Sequence, residues 1–247
     1  MAINIENIKK QILDFVSRGD LKKALYLLND VIRSIEKPDI PRFGEIIAEL
    51  ARKDYKKFGY GAHDSLQLLN RKKSRSLQEC FYELDKYLIE NYCLLEGETI
   101  SDSFYGSLND TYYHIKNGQI FLTNQRVIAC GFPLTISVTG PGLKTTYGLE
   151  KHLSHVMKGA YIRESLNKPA IQSGIMTYGY YYPIRNAYKI KRGKSAVQYT
   201  INVEYEIKGK TYGAKLNMKL ALGKMKGNQA RKEEILNNLE KTLIKNQ

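Results

Sequence analysis

The sequence predicts an α+β chain, with helical hairpins over residues 1–93 and an antiparallel β-sandwich or barrel with a C-terminal capping helix over residues 94–247. Three observations carry this. Apolar residues recur at helical spacing until about residue 93, the period changes from 3.6 to 2 after Glu98, and a last amphipathic segment follows the strands.

Residues 4–36 read as a helical hairpin. Ile5, Ile8, Ile12, Phe15 and Val16 form one stripe, Gly19-Asp20 breaks and caps, and Ala24, Leu25, Leu28, Val31, Ile32 and Ile35 form the second. Pro38 and Pro41 interrupt the pattern, and Arg42–Phe58 restarts it with Phe43, Ile46, Ile47, Leu50, Ala51 and Tyr55 on one face. A short helix around Asp64–Leu69, a basic loop Arg71–Arg75 and a helix Ser76–Tyr92 complete the region.

Beyond Glu98, Thr99–Leu108 and Tyr112–Ile115 are predicted strands around an Asn109-Asp110 turn. Gly118–Gly131 reads as a tight hairpin: two β-branched and aromatic runs, Gln119–Thr123 and Arg126–Cys130, joined by Asn124-Gln125 and closed by glycine. Leu134–Val138 is a further strand candidate before the turn Thr139–Gly142. Residues 139–182 form an insertion, within which Tyr147–Arg163 can be drawn as a helix and Thr177–Pro183 as an aromatic loop or edge strand. Ile184–Lys191 and Gln198–Ile207, a Lys208-Gly209-Lys210 turn, and the alternating run Tyr212–Leu220 predict a meander with one dry and one wet face. Asn228 is expected to cap a final helix that turns Ile235, Leu236, Leu239 and Leu243 to one side.

The stretch Leu94-Leu95-Glu96-Gly97-Glu98, followed by Ile120-Phe121-Leu122-Thr123-Asn124-Gln125-Arg126-Val127-Ile128, resembles the opening of pleckstrin-homology-like and GRAM-like domains, the GLUE type among them. The resemblance implies a small sandwich plugged by its last helix, which agrees with the helix expected at the C-terminus. It also implies binding of membrane lipid, and of ubiquitin in the GLUE type. The basic pattern that phosphoinositide-binding members place on their first strands is missing, because Thr99–Lys116 holds only Lys116. The hairpin at residues 4–36 is weakly similar to a tetratricopeptide-type repeat in Gly19 and Ala24. It lacks that repeat's first-helix signature and has no second copy at a 34-residue period.

Function is read mainly from charge. The net charge is +14, and residues 183–232 alone hold 13 basic and 2 acidic residues. Arg185, Lys189, Lys191, Arg192 and Lys194 crowd one strand and its turn, while Lys215 and Lys219 fall on the wet side of a later strand. These seven are the predicted anion- or lipid-binding residues, with Lys189, Lys191 and Arg192 expected to be at least partly exposed. Such a field attracts polyanions. The expected partner is an anionic membrane surface or another protein, ubiquitin included, and RNA is the alternative because tyrosine offers stacking beside the charge.

No phosphate-binding glycine loop is present, and no catalytic constellation is found, so neither an enzyme nor a cofactor is expected. His152 and His155 near Glu150 lack the further ligands of a metal site. Cys80, Cys93 and Cys130 sit in apolar runs without a C-x-x-C pair, as buried free thiols do. The N-terminus carries no signal-like segment and no apolar run approaches a membrane span, so the chain is expected in the cytoplasm, peripherally on membrane at most.

Overall fold

A computed structural model of the chain describes residues 4–54, 61–70, 74–131, 133–135, 146–176, 179–223 and 229–245. The architecture is α+β: helices first, an antiparallel sheet of eight strands, and a helix at the end. The chain divides into two compact units, residues 1–97 with 169–178, and residues 98–168 with 179–247.

In the helical unit, α1 (Ile5–Ser17) and α2 (Leu21–Ser34) form the expected hairpin. Gly19 turns it at φ 77°, a left-handed conformation that glycine adopts at little cost. Asn4 caps α1 by accepting from the Asn7 amide. In α3 (Ile40–Asp54), Pro41 stands in the first turn, where its missing N–H leaves no intrahelical bond unmade, so it begins this helix rather than interrupting one. Next come α4 (Ala62–Leu69) and α5 (Arg75–Leu88), which Ser74 caps through the Leu77 amide. α5 ends in a single π turn, Ile89–Cys93. Ile12, Leu28, Ile32, Phe43, Ile47, Leu50, Leu84 and Leu88 are fully buried between these helices.

The second unit is built on β1 (Ile100–Asn109), β2 (Tyr113–Thr123), β3 (Arg126–Cys130), β4 (Pro133–Thr135), β5 (Gly179–Pro183), β6 (Tyr188–Arg192), β7 (Ala196–Ile207) and β8 (Lys210–Leu222). Their order is β5-β3-β2-β1-β8-β7-β6, with β4 beside the first half of β2. The runs Tyr112–Ile115 and Gln119–Thr123 belong to one strand, so Gly118 lies within β2 instead of closing a hairpin. A Cβ there would stand 2.6 Å from the Cys130 carbonyl oxygen; glycine permits the close approach of β3. Of the candidate Leu134–Val138, the structure describes Leu134 and Thr135 in β4, and residues 136–138 lie outside the described residues, as do the Thr139–Gly142 turn and the Asn228 cap.

This sheet cannot be flat. Its two edges, β5 and β6, are consecutive in the chain and joined only by Ile184–Ala187, a tight turn closed by the Ala187 N–H on the Ile184 carbonyl. Seven flat strands would hold their edges about 29 Å apart at the usual strand spacing, whereas the chain from Pro183 to Tyr188 spans at most about 18 Å. The sheet is therefore rolled, and one core runs through it, from Leu108, Ile120 and Val127 on one wing to Tyr199, Ile201 and Leu216 on the other.

Two helices close the roll. α7 (Gln229–Lys245) buries Ile235, Leu236, Leu239 and Leu243. Its Arg231 and Asn238 donate to Asp102 at the start of β1, at 2.5 and 3.0 Å. The helix expected within the insertion is α6 (Thr146–Ser173), ten residues longer than its sequence signal at the C-terminal end. It meets the chain at the other end of β1: Gly159 lies against Tyr112, the His155 ring packs tilted on the same ring with centroids 4.6 Å apart, and the Ser165 hydroxyl accepts from the Glu206 amide. The aromatic segment before Pro183 is the edge strand β5, with Tyr180, Tyr181 and Tyr182 buried.

Candidate functional site

The hairpin β7–β8 is the longest ladder of the sheet, in register from Ala196↔Ala221 to Ile207↔Lys210. Lys208 and Gly209 turn it with φ of 49° and 75°, the backbone a two-residue hairpin loop needs. Strict alternation sends Val197, Tyr199, Ile201, Val203 and Tyr205 inward with Leu216, Met218 and Leu220. The opposite face of β6, β7 and β8 is therefore polar, and it gathers three of the predicted cations. Lys191 pairs with Gln198 and Gln198 with Lys219, so the two lysines stand two strands apart on one row, about 10 Å between backbones. Lys215, two pleat repeats further along β8 on the same face, about 14 Å from Lys219 between backbones, lies opposite Asn202. Its ammonium sits 5.9 Å from the centre of the Tyr188 ring, and the Tyr188 hydroxyl donates to Asn202 at 3.2 Å.

The other predicted residues are placed differently. Arg185 is exposed on the β5–β6 turn, and Lys194 is exposed on the β6–β7 turn. Lys189 is exposed at a break in the β6–β7 register, with φ 54°. Arg192 is committed to α7. Its guanidinium donates to Glu233 at 2.5 Å, to Glu240 at 3.2 Å and to Asn237, leaving the side chain 28% exposed with its charge matched by two carboxylates. Among the described residues, none of Arg185, Lys189, Lys191, Lys194, Lys215 and Lys219 carries an ion pair.

In the Leu-Thr-Asn-Gln-Arg motif Thr123 and Arg126 are buried, while Asn124 is exposed and Gln125 half-buried at the turn. Arg126 donates to both carboxylate oxygens of Glu98, the Thr123 hydroxyl donates to Glu98 Oε1 at 2.5 Å and accepts from the Arg126 amide at 2.8 Å, and Asn124 Oδ1 accepts from the Thr99 amide at 2.9 Å. The motif thus ties the first residues of the domain to the β2–β3 turn.

Two buried clusters escape the sequence patterns. In the helical unit, His63 donates from Nε2 to Asp85 Oδ1 at 2.6 Å and from Nδ1 to Asp64 Oδ1 at 3.2 Å, and Gln67 donates to Asp85. Burial alone would pull the imidazole down; the bonds and charges of Asp64 and Asp85 outweigh it and hold the group at about 9. With the ring 2% exposed, the cluster is a cationic tie between α4 and α5. In the sheet, Asp110 Oδ1 accepts from the Tyr112 and Tyr113 amides and Oδ2 from the Tyr182 hydroxyl at 2.5 Å. Burial pushes Asp110 up, against these bonds. Neither cluster places a nucleophile beside a base on an accessible surface.

Among the described residues no group of three or more His, Cys, Asp or Glu could hold a metal ion, and the His152 side chain lies outside them. Cys130 is buried, and Cys80 and Cys93 are half-buried. No described helix is long and apolar enough to cross a membrane. Compared with known proteins, the chain matches no family model, no curated protein and no solved structure.

Proposed function

We propose that the chain is a non-catalytic docking module of pleckstrin-homology/GRAM-like type, held against an anionic membrane by the outer face of β6, β7 and β8. The observation that carries the reading is the row Lys191–Gln198–Lys219 with Lys215 two same-face positions further along β8: exposed cations, on one face, with no carboxylate paired to them among the described residues. Lys189 and Lys194 extend the field at the β6 end. Each lysine near an anionic lipid surface contributes about 1 kcal/mol, so five of them together supply roughly 5 kcal/mol, enough for reversible peripheral attachment.

The fold assignment has its own support. The motif, the consecutive strands that roll from β1 to β8 and pair first with last, and the helix α7 over the start of β1 agree with the sandwich that the sequence resemblance implies. The missing basic pattern on the first strands favours attraction to surface charge over recognition of one inositol phosphate.

Co-sedimentation of the full chain with phosphatidylglycerol-containing and purely phosphatidylcholine vesicles, at low and high salt, tests this. Binding only to the charged vesicles, weakened by salt, is expected. Binding indifferent to lipid charge overturns the membrane reading, and salt-sensitive retention on single-stranded RNA without vesicle binding assigns the same face to nucleic acid.

A further inference from the structure

The outer face of β6–β8 is not uniformly basic. Glu204 stands on it, exposed, opposite Gly213, and it has no ion-pair partner among the described residues. A carboxylate here weakens the attraction of any purely anionic surface. Glu204 and Lys215 lie diagonally across the β7–β8 ladder, about 8 Å apart between backbones. Between them runs an open groove of about 560 Å³, walled by Asn186, Asn202, Glu204 and Lys215, with Gly213 in its floor. It is a shallow depression open to solvent, suited to a polar head group presented at a surface and not to an enclosed ligand.

Gly213 is the second observation. Mid-strand glycine weakens a strand unless something needs the space above it. Here neither packing nor backbone explains it: an added Cβ would meet nothing within 4 Å, and its φ is not left-handed. What the missing side chain does is keep the groove open.

We propose that this groove takes the head group of an aminophospholipid, a phosphodiester bearing a primary ammonium two carbons away. Lys215 meets the phosphate, Glu204 meets the ammonium, and the Asn186 and Asn202 amides flank the diester. The inference rests on the membrane reading above and refines it: general attraction comes from the lysines, and head-group preference comes from Glu204.

The test compares vesicles carrying equal molar fractions of phosphatidylserine or phosphatidylglycerol, which share a net charge; the serine head group adds an ammonium and a balancing carboxylate. The wild-type chain is expected to bind the phosphatidylserine vesicles about two- to fivefold more tightly, the size of one exposed ion pair. Glu204→Gln should remove that preference while keeping or raising binding to phosphatidylglycerol. Gly213→Phe, which fills the groove from a position with free space, should remove it too, with an unchanged circular dichroism spectrum. Equal binding of the two vesicles by the wild type, or a preference that survives Glu204→Gln, overturns the groove assignment alone. Failure to bind either vesicle removes the reading beneath it as well.

Discussion

Arg126 and Glu98, 28 residues apart in the chain, form a buried two-pronged ion pair, Nε to Oε1 at 3.0 Å and Nη2 to Oε2 at 2.5 Å, with the Arg126 guanidinium lying 5.0 Å from the Tyr181 ring. The Glu98 side chain is fully buried and that of Arg126 only 11% exposed. Removing one partner of such a pair strands the other charge away from water. Arg126→Ala or Glu98→Ala should therefore cost about 3–5 kcal/mol, and Arg126→Lys less but measurably, since an ammonium cannot reproduce the fork. Replacing both by leucine should cost well below the sum of the single changes. Urea unfolding followed by far-ultraviolet circular dichroism provides all four values.

His63 sets a pH dependence of stability. The folded state binds its proton more tightly than the unfolded chain does, so the contribution is full below about 6.5 and is lost as pH rises through about 9. Unfolding free energy should fall by up to about 3 kcal/mol between pH 6.5 and 10. His63→Gln should be less stable than wild type at neutral pH and nearly flat over that window. Urea midpoints measured at several pH values check both statements.

Two glycines should respond differently to the same substitution. Gly118→Ala drives a methyl group to 2.6 Å from the Cys130 carbonyl oxygen, which belongs to a paired strand and cannot swing aside. It should cost roughly 1–3 kcal/mol. Gly213→Ala enters open space and should stay within about 0.5 kcal/mol of wild type. Thermal melts of the two variants under one condition distinguish them.

Arg192 and Lys191 are neighbours with different work. Arg192→Ala releases α7 from Glu233, Glu240 and Asn237 and should cost about 1 kcal/mol, a figure kept small by partial exposure. Lys191→Ala should leave stability unchanged and weaken vesicle binding. Denaturation and co-sedimentation on the same two proteins separate the roles.

Much of the order of helices and strands could be read from residues alone, because the period change at Glu98 and the alternation from Gln198 to Leu220 are local signals that burial enforces. Other features depend on contacts that sequence spacing does not encode. Gly118 looks like a strand terminator until β3 is laid against it. Arg192 looks like one more free cation until α7, more than forty residues later, supplies its carboxylates. His63 and Asp85 are 22 residues apart on two helices, and nothing in either helix announces the other. α6 carries apolar residues on both its inner and outer sides, Ile162 inside and Leu153 and Met157 outside, which blurs the stripe that usually fixes a helix's extent.

The central claim is that Lys191, Lys215 and Lys219 act together on one face. Charge reversal of all three, Lys191→Glu with Lys215→Glu and Lys219→Glu, leaves Arg192 and the core untouched. Partition of this variant onto phosphatidylglycerol-containing vesicles at low salt, alongside a matching spectrum and melting curve, is the direct measurement. The account predicts a folded protein that no longer sediments with the vesicles; a folded variant that partitions like wild type would contradict it.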